Sequence, residues 1–219
     1  MAKVVVFGVG QIAELAHFYL TNDSDHEVVA FTVDNEFLEN DSFHNLPVVD
    51  YEGLIEKYPP AEYEMFIPIS YKKVNKLRVE KFEDAKSKGY RCISYISSKA
   101  TYYNTLVGEN CFIFENNIIQ PFTSIGDNCI LWSGNHIGHH TAIKDHCFIA
   151  SHVVISGNVT IGESSFLGVN CTISDNINIG KSNVIGSSAV IFKNTDDNSV
   201  YSPAETEKSK VPSNRLRGF

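Results

Sequence analysis

Five of the eight histidines in this sequence of 219 residues fall between positions 136 and 152. They are His136, His139, His140, His146 and His152. A neutral imidazole near pH 7 can take a proton from an amine or a hydroxyl group as that group attacks an electrophile. For any single histidine, a solvated surface position is the plain alternative. The concentration of five in one short segment nevertheless indicates general-base chemistry there.

These histidines lie inside a six-residue repeat that runs from Val107 to Ile191. Every sixth residue from Val107 is aliphatic, and a mostly small residue follows four positions later, including Cys111, Cys129 and Cys147. A period of six fits neither an α-helix nor a hairpin array, but it fits short strands wound three to a coil. The repeat therefore predicts a left-handed parallel β-helix with the aliphatic and small residues inside and with buried, inert cysteines. Glycine and asparagine are expected to supply positive φ at its corners, and the histidines to lie at corners or on the surface.

The residues before the repeat alternate apolar runs with helical patterns, which is typical of an α/β domain with βαβ units. We predict a Rossmann-like domain over residues 1–96 and the β-helix domain, with a C-terminal tail, over residues 97–219. The expected elements of the first domain are strands over 3–7, 28–33, 65–69 and 92–96, a helix of about 11 residues from Gln11, a short helix capped by Asp50 and running through Tyr58, and a helix over 72–88 that stops at Gly89.

Gly8 and Gly10 follow the first strand and form half of a dinucleotide-binding fingerprint. Glycines there let a phosphate approach the N-terminus of the next helix closely. Asp34 follows the second strand, where a carboxylate can reach a ribose hydroxyl group. The plain alternative is an ordinary turn and a surface aspartate. A dehydrogenase is disfavoured, because a β-helix leaves no room for the usual catalytic domain.

Charge and composition exclude several other classes of protein. The formal net charge of −8 argues against binding to nucleic acid, which requires a basic face. No stretch approaches the roughly 20 apolar residues that span a bilayer, and the start does not read as a signal peptide. The five cysteines lack the spacing of a disulfide framework. A cytoplasmic location is expected.

With both halves placed, the sequence resembles the sugar O- and N-acyltransferase family of the sialic acid O-acetyltransferase and bacillosamine N-acetyltransferase type. The strand and Gly-x-Gly start, the linker near Ser97–Thr101 and the hexads carry this resemblance. It implies a homotrimer that binds acetyl-CoA between adjacent subunits and a nucleotide sugar on the N-terminal domain. Gly8, Gly10, Asp34, Ser70 and Tyr71 are the residues expected to hold that sugar.

The resemblance also implies the catalytic residues. The general base of the family stands third in a hexad, which in Ile137-Gly138-His139-His140-Thr141 is His139. Gly157, in Gly157-Asn158-Val159, is implied to donate its backbone N–H to the thioester carbonyl.

Three departures from the family pattern affect these assignments. The acidic residue that often orients the base is absent beside His139, and either His140 or Asp145 could replace it. The segment that contacts CoA lacks its usual lysine, so Lys208 or Lys210 is expected to take part. Trp132 stands where some relatives carry a small polar group, which leaves the acceptor open.

We expect an acetyl-CoA-dependent N-acetyltransferase that acts on a nucleotide-linked amino sugar for surface glycan synthesis, such as that of lipopolysaccharide. The alternatives are sugar O-acetylation and a non-catalytic trimeric binding protein. Gamma-class carbonic anhydrases share the β-helix and bind zinc through histidines. Their upstream ligand has no counterpart here, because no histidine lies between His44 and His136. No metal is expected.

Overall fold

The computed structural model describes residues 1–215. The N-terminal part is a five-stranded sheet with helices on both sides. Its elements are β1 (Lys3–Phe7), α1 (Gln11–Asn22), β2 (Glu27–Val33), a 3-10 turn (Asn35–Phe37), β3 (Ser42–Phe43), β4 (Leu46–Asp50), α2 (Leu54–Lys57), β5 (Glu64–Phe66) and α3 (Lys76–Ser87). The strand order is β3-β4-β2-β1-β5, and all neighbouring strands are parallel except the β3–β4 hairpin.

Several predicted elements differ from the observed ones. Asp50 ends strand β4 instead of capping a helix, and α2 follows Gly53. The predicted strand over 65–69 is only Glu64–Phe66. Helix α3 begins at Lys76, not at 72, because Lys73, Val74 and Asn75 all have positive φ and form a left-handed turn. Gly89 follows the end of α3 with φ 89°, as predicted for a glycine C-terminal to a helix.

The rest of the chain is a parallel β-helix of two-residue strands in three sheets, which we call face 1, face 2 and face 3. Successive strands on one face pair with the coil below and above. Face 1 holds Tyr95–Ile96, Phe112–Ile113, Ile130–Leu131, Phe148–Ile149, Phe166–Leu167, Val184–Ile185 and Val200–Tyr201. Face 2 holds Thr101–Tyr102, Ile118–Ile119, His136–Ile137, Val154–Ile155, Thr172–Ile173 and Val190–Ile191. Face 3 holds Leu106–Val107, Ser124–Ile125, Ala142–Ile143, Thr160–Ile161 and Asn178–Ile179, and a 3-10 turn covers Ser213–Arg215 in the tail.

The interior of the prism follows the hexad pattern. The aliphatic residues from Ile113 to Ile191 are buried, and so are the small residues four places later. All five cysteines are buried and free. Burial raises the pKa of the Cys92 and Cys171 thiols to about 12. The predicted burial of Cys111, Cys129 and Cys147 is therefore confirmed.

Positive φ falls on the fourth place of the hexad. This confirms the prediction for asparagine, whereas among the glycines of the repeat only Gly134, which stands at a fourth place, has positive φ. Asparagine, serine and histidine fill most of these places, and all three have side chains that suit tight corners. The glycines at the second place serve packing instead. A Cβ on Gly138 or Gly162 would lie 2.5 Å from backbone carbon of the next coil.

The N-terminal domain packs on the outside of face 1. The outward residues Phe112, Ile130 and Phe148 belong to the same apolar core as β1 and α1. Fully buried Arg78 of α3 reaches the vertex between faces 3 and 1 and donates to the carbonyls of Asn128, His146 and Cys147. Face 1 is therefore covered within one chain from Phe112 to Phe148. The vertex between faces 2 and 3 lies on the opposite side of the prism.

Candidate functional site

His139 and His140 lie at this opposite vertex, where face 2 turns into face 3. They hold the third and fourth places of their hexad, and His140 takes the left-handed conformation with φ 57°. Both side chains are exposed. Their Nδ1 atoms are 3.1 Å apart. A hydrogen bond at this distance requires one ring to donate and the other to accept.

This contact sets which nitrogen of His139 is available. If Nδ1 of His139 donates to Nδ1 of His140, then Nε2 of His139 carries a free lone pair and can act as a base. His140 then occupies the place that a carboxylate would take as the orienting partner. Asp145, the other candidate for that role, lies at the vertex between faces 3 and 1, where its Oδ1 accepts from the N–H of Asp127.

Gly157 lies directly above His139, one coil further along the chain. A Cβ on Gly157 would fall 2.6 Å from Cε1 and 2.7 Å from Nε2 of the imidazole. Only a glycine leaves space for the ring in this position. The N–H of Gly157 donates to Oδ1 of Asp175 at 3.0 Å, so an incoming thioester carbonyl would have to compete with a carboxylate for this donor.

The other three histidines of the cluster lie at other places. His146 is buried at the vertex between faces 3 and 1, where its Nδ1 is 3.0 Å from Nδ2 of Asn128, and burial lowers its pKa. His152 has φ 58° and packs over Gly134 at the vertex between faces 1 and 2. His136 begins a strand of face 2. The cluster in the sequence is therefore only a pair at the candidate site.

The Gly-x-Gly turn borders a cleft of about 330 Å³ at the carboxyl ends of the parallel strands. Gly8 has φ 107°, and Gly10 precedes helix α1 with open space beside its Cα. Ligands of open α/β sheets bind at this edge. The cleft is lined by Val9, Phe37, Glu39, Asn40, Ser42, Phe43 and Val48.

Three of these residues, Ser42, Phe43 and Val48, belong to the β3–β4 hairpin, which the sequence prediction missed. The hairpin turns at His44 and Asn45, both with positive φ. Two such residues between short apolar runs are a recognisable hairpin signal.

The remaining predicted sugar-binding residues have partners within the chain. Asp34 forms an ion pair with Lys81, whose Nζ is 2.5 Å from Oδ1. The carbonyl of Ser70 accepts from Arg78. Tyr71 is half exposed and packs edge-on against Phe148 of face 1. Gly8, Gly10 and Asp34 thus lie at one edge of the sheet, and Tyr71 lies against the prism.

Two further predicted positions are less constrained. Lys208 is exposed in the tail after Tyr201. Trp132 stacks on Phe114 with 4.6 Å between ring centroids, at the vertex between faces 1 and 2. Within residues 1–215 no group of three or more histidine, cysteine, aspartate or glutamate side chains could hold a metal ion. In the same range, no helix has the length and apolar character needed to cross a membrane.

Comparison with known proteins agrees with the observed architecture. The model of the family described as bacterial transferase hexapeptide (six repeats) matches residues 104–139 and 122–157. No curated protein matches the sequence.

Solved structures match nearly the whole chain. A histidine-to-asparagine variant of perosamine N-acetyltransferase from Caulobacter crescentus, in complex with CoA and GDP-perosamine, is 21% identical with a TM-score of 0.80, covering 91% of this chain and 93% of that one. The acetyltransferase domain of PglB from Neisseria gonorrhoeae FA1090 is 19% identical with a TM-score of 0.77, covering 91% and 96%. WeeI from Acinetobacter baumannii AYE is 19% identical with a TM-score of 0.58, covering 91% and 96%. At these identities the matches establish the fold, and the predicted fold class is confirmed.

Proposed function

We propose that this protein is an acetyl-CoA-dependent N-acetyltransferase that acts on a nucleotide-linked amino sugar, with His139 as the general base. The observation that carries the proposal is the exposed imidazole of His139, paired through Nδ1 with His140 and free at Nε2. The solved perosamine N-acetyltransferase and PglB structures, which contain CoA, GDP-perosamine or acetyl coenzyme A, share this two-part fold and support the choice of substrates.

The reaction requires a proton to pass from the sugar amine to His139 and then from His139 to the leaving thiolate. The sugar amine attacks the thioester carbonyl of acetyl-CoA while Nε2 of His139 removes an amine proton. The tetrahedral intermediate then collapses, the C–S bond breaks, and the imidazolium returns the proton to the leaving thiolate. The new amide and free CoA are the products. During the first step, Nδ1 of His140 accepts a hydrogen bond from the imidazolium and stabilises its charge.

A complete site requires two chains. His139 lies at the vertex opposite face 1, whereas the N-terminal domain with its cleft covers face 1 of the same chain. The acceptor held by one N-terminal domain would reach the His139 of a second copy. We infer a homotrimer, the arrangement that joins three identical prisms through closed rotational symmetry. Light scattering after size-exclusion chromatography tests whether the protein in solution has the mass of a trimer.

The direct test is acetyl transfer to a panel of nucleotide-linked amino sugars, with mass spectrometry for the gain of one acetyl group. His139→Ala should reduce turnover by about 10²–10⁴-fold, while calorimetry shows that CoA still binds. His152→Ala is the matched control, because that histidine is also exposed at a vertex but lies away from the candidate base. A sugar panel with a hydroxyl group in place of the amine separates N- from O-acetylation. Full turnover by His139→Ala would exclude the assigned base.

A complementation experiment tests whether the site lies between chains. Gly10→Glu introduces a carboxylate into open space at the N-terminus of α1, where a diphosphate is expected to bind. We expect Gly10→Glu and His139→Ala to be inactive alone. Co-expression of the two variants in equal amounts should give a trimer population with about one quarter of wild-type activity, because in random assembly about one site in four combines both intact parts. No recovery, with mixed trimers verified, would place both parts of the site in one chain.

A further inference from the structure

Phe122 is an unusual residue at its position in the β-helix. It occupies the fourth place of its hexad with φ 65°, one coil before His140 at the same vertex. Among the described residues, the other non-glycine hexad corners with positive φ from Asn104 to Asn198 are asparagine, serine or histidine. Those side chains tolerate the left-handed conformation better than a phenylalanine does. Backbone preference therefore does not account for this side chain.

Burial does not account for it either. The Phe122 side chain is 76% exposed, so it contributes little to the core. Its ring instead packs against His140, with 4.7 Å between centroids and 36° between planes. The ring of His140 thus makes two contacts. Phe122 packs against it, and the Nδ1 atom of His140 points at Nδ1 of His139. Apart from these contacts the side chain of His140 is exposed.

We propose that Phe122 is a positioning residue for catalysis, which holds His140 in the orientation that binds Nδ1 of His139. Without the phenyl ring, an exposed imidazole would populate several rotamers and lose its hydrogen bond to His139 for part of the time. A strained backbone at a functional site is a common way to fix such an orientation. The inference rests on the proposed role of His139 as base.

Phe122→Asn is the informative variant, because asparagine suits the left-handed corner and removes the ring. We expect kcat to fall about 2- to 12-fold, the range that corresponds to one aromatic pair. KM for acetyl-CoA and for the sugar should not change, and Tm should stay equal or rise. Phe122→Tyr keeps the ring and should restore kcat. Phe18→Asn, which removes another exposed phenyl group, on α1, is the control. A rise in KM for acetyl-CoA at constant kcat would mean that Phe122 contacts the cosubstrate, and would overturn the proposal.

A double-mutant cycle shows whether Phe122 acts through His140. In a His140→Asn background, Phe122→Asn should have no further effect on kcat. An additive loss would refute the inference.

Nitrogen-15 NMR of labelled histidines provides a readout that does not depend on activity. Signals assigned with His139→Asn and His140→Asn should show a hydrogen-bonded Nδ1 pair in the wild type and free rings in Phe122→Asn. If the rings are paired in the wild type and free in Phe122→Asn, but the wild type transfers no acetyl group, the proposed function is refuted and the positioning role is not. An intact pair in Phe122→Asn would refute the positioning role alone.

Discussion

Gly157→Ala provides a sharp test of where the proposed catalytic imidazole lies. The new Cβ would lie 2.6 Å from Cε1 and 2.7 Å from Nε2 of His139. Carbon atoms in contact prefer separations of about 3.5–4.0 Å, so the ring must move by about 1 Å. Such a displacement of a reacting group can reduce the rate by about 10²-fold. We therefore expect kcat to fall by about two orders of magnitude.

The same substitution should barely affect folding. The backbone of Gly157 lies outside the left-handed region, so alanine can adopt its conformation. The clashing atoms are the end of an exposed side chain that can rotate away. Replacing glycine at a compatible site also reduces the entropy of the unfolded chain, which stabilises by about 0.4–1 kcal/mol. Tm should therefore change by only a few degrees or less.

The assay is release of free CoA, followed with a thiol reagent. The protein's own five cysteines are buried and should not react while it is folded. Gly53→Ala is the matched control, because no atom lies within 4 Å of its Cβ position. Gly157→Ala should add no further loss in a His139→Ala background. Wild-type kcat in Gly157→Ala would refute the assigned position of the base, and a large loss of Tm would refute the account of the clash.

Two further predictions concern the contacts between the domains. Arg78→Met leaves several buried carbonyl groups without a donor and should lower the free energy of unfolding by at least about 3 kcal/mol, which is measured as a lower Tm. Arg91→Met is the control, because the Arg91 side chain is mostly exposed and its replacement should change the Tm little. Hydrogen bonds from Ser98 and Tyr95 lower the pKa of Asp23 to about 2. Because the folded pKa lies below the usual value near 4, this stabilisation is present above pH 4 and is lost as the pH falls towards 2. The difference in Tm between wild type and Asp23→Asn should therefore be largest at pH 5 or above and should shrink to almost nothing near pH 2. A Tm difference that stays constant with pH would contradict this account.

The β-helix was predictable because each hexad place has the same environment on every coil. An aliphatic residue at the first place is always interior, so the signal accumulates over many repeats. The corner geometry was assigned less well. Glycine and asparagine were expected to provide positive φ, and asparagine does so at several corners. At Gly138 and Gly162 the requirement is instead for close approach between coils. A glycine satisfies either requirement, so composition alone does not separate them.

The N-terminal domain was harder to predict, because each element occurs once. A pattern that looked helical from residue 72 begins with three left-handed residues, including the β-branched Val74. Tertiary contacts hold this turn: Nδ2 of the buried Asn75 donates to the carbonyls of Ser164 and Ser165, which are 89 and 90 residues away in the sequence. Local propensity carries no information about such a partner.

The histidine cluster illustrates what a sequence pattern can and cannot show about a site. Five neighbouring histidines indicated a catalytic segment, yet a three-sided coil distributes residues six apart to different vertices. His140, His146 and His152 consequently occupy three separate vertices, each in the left-handed conformation. Of the five histidines, only His139 shares the corner of His140, and the two pair through their Nδ1 atoms. The spacing within one hexad, and not the number of histidines, therefore identifies the candidate base. The three-sided coil also places this candidate base on the side of the prism opposite the N-terminal cleft of its own chain.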